Sequence, residues 1–143
     1  MPLLDQLAKR AADRLPSVVG PRTHSIAHYA IAGTFAAFGV AAWRRNQRAA
    51  ISAFGCALFL TTTGVLTDCP GGLVRELPFA AHGRMDIGLA ALAAALPGFM
   101  GFEKQSEARF FHVQAAVLGG LAGLTDFLGT RERRQLRHLE RAA

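Results

Sequence analysis

The sequence predicts an all-α integral membrane protein: four helices arranged as two tandem helical-hairpin repeats. Three observations carry that expectation. Charge is confined to blocks between apolar windows, each window is about as long as a bilayer is thick, and polar residues recur at an offset of 58 positions.

The 143 residues leave room for one domain. Half of them (51%) are hydrophobic and the mean hydropathy is positive, yet the net charge is +6. Four windows are almost free of charge: Ser25–Trp43, Ala49–Thr67, Met85–Phe102 and Phe110–Asp126. Each approaches the ~20 residues that cross a ~30 Å hydrocarbon core at ~1.5 Å per residue. A water-soluble bundle would need polar outer faces, and these windows have none. Their wealth of Ala and Gly suits helices that pack closely within lipid. The expected spans are 25–43, 49–67, 84–102 and 108–128, within a membrane domain of residues 23–128.

Residues 1–22 precede that domain. Leu3, Leu4, Leu7, Ala11 and Leu15 recur at helical spacing among charged neighbours, which predicts an amphipathic surface helix ended by Pro16. It does not read as a short basic leader. The first span follows Pro21, with Thr23 as its expected N-cap, and stops at Trp43-Arg44-Arg45, an interfacial aromatic with cationic neighbours. The short turn that follows makes spans one and two an antiparallel hairpin. The second span ends at Thr67-Asp68-Cys69-Pro70-Gly71-Gly72, where Pro and the glycines break it. The third starts near Pro78–His82 and ends at Phe102. The fourth runs to about Leu128, with Gly129 as the expected C-cap. Residues 129–143 form a basic tail whose cheapest reading is a solvated or lipid-facing segment, so no nucleic-acid partner is expected. Cys56 and Cys69 are too far apart along one helix for a disulfide.

Sliding the chain by 58 residues places His24 on His82, Gln47 on Gln105, and Leu66-Thr67-Asp68 on Leu124-Thr125-Asp126, without a gap. Two copies of one hairpin imply a pseudo-two-fold axis along the membrane normal. Lys and Arg number eleven on the side of the termini and middle loop against five on the other. That excess puts both termini in the cytoplasm.

The segment Thr67-Asp68, Gly72, Val74-Arg75, Pro78, His82, Asp86, Gly88, Pro97 and Gly101-Phe102 resembles small bacterial membrane proteins of the SPW-repeat type. Leu96-Pro97-Gly98 stands where the name-giving Ser-Pro-Trp would be. The resemblance implies a four-helix, multi-pass protein of the bacterial cytoplasmic (inner) membrane, and no established reaction.

Chemistry can gather on one side of the membrane. Hairpin logic brings His24, His28, Asp68, His82, Asp86 and Asp126 to a single interface, three from each repeat. His24 and His28 share a helix face at i, i+4 spacing, as do His82 and Asp86. Imidazole and carboxylate ligands suit a divalent metal. The same residues can instead form a hydrogen-bond network, with His24 beside Asp68 and His82 beside Asp126 and the aspartates ending their helices. No cofactor is expected on that reading. A haem held by His24 and His82 would be poorly covered at the helix ends. Nucleophile motifs, phosphate-binding loops and CxxC pairs are absent from the sequence. The function that follows is a non-enzymatic accessory or interaction subunit, whose partners are the lipid bilayer and other membrane subunits or a second copy. The alternative is a metal-dependent or redox membrane enzyme that uses the His/Asp cluster.

Overall fold

The computed structural model describes residues 18–127. Residues 1–17 of the expected surface segment 1–22 and the basic tail lie outside that range, and Pro21 and Arg22, assigned to that segment, belong to the first helix instead. Four helices follow in order: α1 (Pro21–Ala42), α2 (Gln47–Leu66), α3 (Phe79–Phe99) and α4 (Ala108–Leu124). Helices α1 and α2 pack as one hairpin and α3 and α4 as a second. Of the four, α1 and α2 are long and apolar enough to cross a membrane by the combined test of length and composition.

The helix ends differ from expectation for local reasons. α1 is capped at Gly20 rather than Thr23, because Pro21 takes the first helical position, where its fixed φ and missing N–H cost nothing. α3 begins at Phe79, so His82 already lies in its first turn. It ends at Phe99, not Phe102: Pro97 cannot donate in the last turn, and Gly101 follows with φ +73°. α4 stops at Leu124, four residues before the expected end, because Thr125 is extended (φ −89°, ψ 135°).

That extended residue belongs to a pair of short backbone ties. Val19 N–H donates to Leu124 O (3.0 Å) and Asp126 N–H to Val19 O (3.1 Å). Leu77 N–H donates to Leu66 O (2.8 Å) and Asp68 N–H to Leu77 O (2.8 Å). Each bond has a counterpart 58 residues away with the two hairpins exchanged. Val19, two positions before α1, is therefore fastened to the end of α4, and Leu77, two positions before α3, to the end of α2.

Small residues set the spacing inside each hairpin. Ala49, Ala53, Ala90 and Ala93 are buried, and Gly39 faces the Phe54 ring so closely that a methyl there would sit 2.7 Å from it. Phenylalanines fill the seam between α1 and α4. Phe38 stacks on Phe110 with ring centres 3.9 Å apart, and Phe35 and Phe111 are fully buried beneath them. Away from this core, Ile26, Val40, Leu58, Ile87, Phe99 and Val113 point outward and are more than half exposed.

Candidate metal centre

At the end of the bundle where α1 and α3 begin, four of the six sequence-predicted residues come together. His24 and His28 lie on the first two turns of α1, and His82 and Asp86 on the first two of α3, each pair four residues apart on the inward face. All four are at most 2% exposed. His28 Nε2 donates to Asp86 Oδ1 at 3.1 Å. His24 Nε2 and His82 Nε2 face each other at 3.2 Å, and Asp86 Oδ2 lies 3.1 Å from the first and 3.3 Å from the second. Both ring nitrogens approach Oδ2, but neither is aligned for a good hydrogen bond to it.

The outer ring nitrogens are held by threonines. His24 Nδ1 meets Thr125 Oγ1 at 2.9 Å and His82 Nδ1 meets Thr67 Oγ1 at 2.8 Å. Each threonine also donates its one hydroxyl hydrogen to a carbonyl in the preceding turn, Thr125 to Leu121 O and Thr67 to Thr63 O. The threonines must then accept from the imidazoles, so Nδ1 carries the proton in both rings and a neutral imidazole presents a bare Nε2. The Phe79 and Phe127 rings close the outer side, 5.5 and 5.2 Å from the His24 ring. A methyl on Gly83 would meet the Phe127 ring at 2.7 Å.

The expected pairing of His24 with Asp68 and His82 with Asp126 is corrected: it is the threonines one position earlier that hold the outer ring nitrogens, and they do so across hairpins. The ties at Val19 and Leu77 cause the crossing, since each sets the start of a helix against the end of the other hairpin. Asp68 faces outward, its side chain 63% exposed and 3.7 Å from the equally exposed Arg75. Arg75 is the one non-glycine residue at positive φ (55°) among those described, which marks the loop as tightly bent. Asp126 is half-buried, with its backbone engaged by Val19. Thr67 and Thr125 are site residues that the sequence marks only through the recurring Leu-Thr-Asp triplet.

At the opposite end of the bundle, Asn46 accepts from Ala49 N–H at 3.1 Å as the cap of α2 and donates to Gln105 Oε1 at 2.5 Å, which links the two hairpins there. His112 is exposed. Chemically, the buried centre can hold a cation: His24, His82 and Asp86 each offer one ligand atom, all within 4.8 Å of one another. Comparison of the chain with known protein families, curated proteins and solved structures found no match.

Proposed function

We propose that the chain is a four-crossing integral membrane protein of two tandem hairpin repeats, acting as an accessory or interaction subunit rather than an enzyme. The observation that carries this reading is the apolar outer surface. Large side chains on all four helices, from Ile26 on α1 to Val113 on α4, face outward and exposed. A water-soluble monomer rarely shows contiguous apolar surface beyond a few hundred Å², whereas lipid solvates such faces at no cost. The contacts that recur 58 residues apart support the repeat. The eleven-to-five distribution of Lys and Arg supports cytoplasmic termini, and the resemblance to SPW-repeat proteins supports the bacterial inner membrane.

An interaction role is supported by glycines on the outer faces. Gly33, Gly55, Gly88 and Gly120 are exposed, with open space where a side chain would be. In lipid such positions let a second helix approach closely. Two tests apply. The chain should stay with membranes through carbonate extraction, and in mild detergent it should migrate above its monomer mass until Gly55 or Gly88 is changed to Leu. Release by carbonate would overturn the membrane reading, and a monomer indifferent to both substitutions would overturn the interaction role. The second reading, a metal-dependent or redox membrane enzyme, is favoured by the buried His/Asp centre alone. It requires bound metal and a turnover that disappears with it.

A further inference from the structure

Three buried atoms with lone pairs converge at the start of α1 and α3, and the ring protons of the neutral imidazoles point away from them. The hydroxyl hydrogens of Thr67 and Thr125 go to helix carbonyls, so His82 and His24 each spend their ring proton on Nδ1. Asp86 Oδ1 receives the His28 proton, and Oδ2 has no well-aligned donor. With both rings neutral, two nitrogen lone pairs and a carboxylate oxygen stand 3.1, 3.2 and 3.3 Å apart in a site closed to water. Such an arrangement is costly unless a proton or a metal cation lies among the three, and three ligand atoms at mutual distances this even suit a metal ion.

We propose that His24 Nε2, His82 Nε2 and Asp86 Oδ2 bind one divalent first-row transition metal ion, leaving a further coordination position open. The spacing fits. Ligand atoms ~2.0–2.1 Å from a tetrahedral zinc lie ~3.3 Å from each other. The surroundings fit as well. Metal-bound imidazoles typically donate their other ring proton to an oxygen, as His24 and His82 do to Thr125 and Thr67, and bound carboxylates are themselves hydrogen-bonded, as Asp86 is by His28. Calcium and magnesium prefer all-oxygen sites, so two imidazoles select zinc or iron(II) instead. The ligands come from both hairpins, His24 from the first and His82 and Asp86 from the second, so the ion also clasps the hairpins together. This inference goes beyond the accessory reading and is independent of it.

The test uses the full chain in detergent, purified on a tag without histidine, stripped with chelator and confirmed helical by circular dichroism. Cobalt(II), whose visible bands report low-coordinate sites, is titrated in and then displaced by zinc; iron(II) is titrated separately without oxygen. One ion per chain is expected, with cobalt bands that zinc abolishes, and the tighter of zinc and iron identifies the resident metal. Thr67→Val and Thr125→Val keep all three ligands yet should each weaken zinc binding ~10- to 100-fold. Asp86→Asn should weaken it at least as much, and His112→Ala should leave it unchanged. A helical wild-type chain that takes up no stoichiometric metal overturns the proposal. So does zinc affinity that neither threonine substitution alters.

Discussion

Thr67→Val isolates one bond of the centre at nearly constant shape. The hydroxyl is fully buried, donates to Thr63 O and accepts from His82 Nδ1 at 2.8 Å. Valine fills the same volume but leaves the His82 ring proton without a partner in a side chain only 2% exposed. A buried donor stranded in this way costs about 1–3 kcal/mol. The loss of the bond to Thr63 O contributes little, because that kind of bond to the preceding turn is close to neutral in a helix. Thr61 provides the control: its hydroxyl bonds Ala57 O at 2.8 Å, but the residue is exposed. Thermal or denaturant unfolding in one detergent, followed through Trp43 fluorescence, should therefore rank Thr67→Val well below Thr61→Val. Thr67→Ser, which keeps the oxygen, should fall between Thr67→Val and wild type. Thr125→Val should resemble Thr67→Val, since Thr125 holds His24 in the same way. Equal stabilities for Thr67→Val and Thr61→Val would show that the His82 bond contributes nothing and would refute the reasoning.

Further expectations concern the loop, the caps and the thiols. Gly72→Ala would drive a methyl into the Thr67 carbonyl oxygen and should unfold the chain at markedly lower temperature, whereas Gly88→Ala, on an open helix face, should stay within ~1 kcal/mol of wild type in the same melts. Asn46→Ala removes the cap of α2 and should cost ~1 kcal/mol, with Asn46→Asp recovering much of it because an oxygen still faces Ala49 N–H. Asp68→Asn disturbs only an exposed ion pair and should leave unfolding unchanged within ~0.5 kcal/mol, while His82→Ala should lower stability clearly more than His112→Ala. Cys69 is half-exposed and Cys56 buried, so a polar maleimide should label Cys69 in the folded protein and Cys56 only after denaturation. Equal labelling of both would contradict the packing of α2.

The helices were legible because apolar windows separated by charge leave little else for the chain to do. The hairpins followed from the short turns at Trp43–Asn46 and Phe102–Glu107. Helix ends were less legible, since each was decided by a local feature: Pro21 at the first position of α1, Gly101 at positive φ after α3, and the tie between Val19 and Thr125 after α4. The polar centre was half legible. Spacing of four put His24 with His28 and His82 with Asp86 on shared faces, and burial then followed from the hairpin geometry. Partner choice was hidden, because it depends on two backbone ties between residues more than a hundred positions apart in one case and ten in the other. No periodicity in a sequence announces such ties. They move the contacts from within each hairpin to between them, and replace Asp68 and Asp126 with Thr125 and Thr67.

X-ray absorption at the zinc and iron edges, on protein purified without added metal and again after loading, tests the central claim most directly. Ligation by His24, His82 and Asp86 predicts one ion per chain with nitrogen and oxygen neighbours at ~2.0–2.2 Å, the outer-shell pattern of two imidazoles and no sulfur. A loaded sample whose ion has sulfur at ~2.3 Å, or no imidazole pattern, would place the metal elsewhere and contradict the assignment.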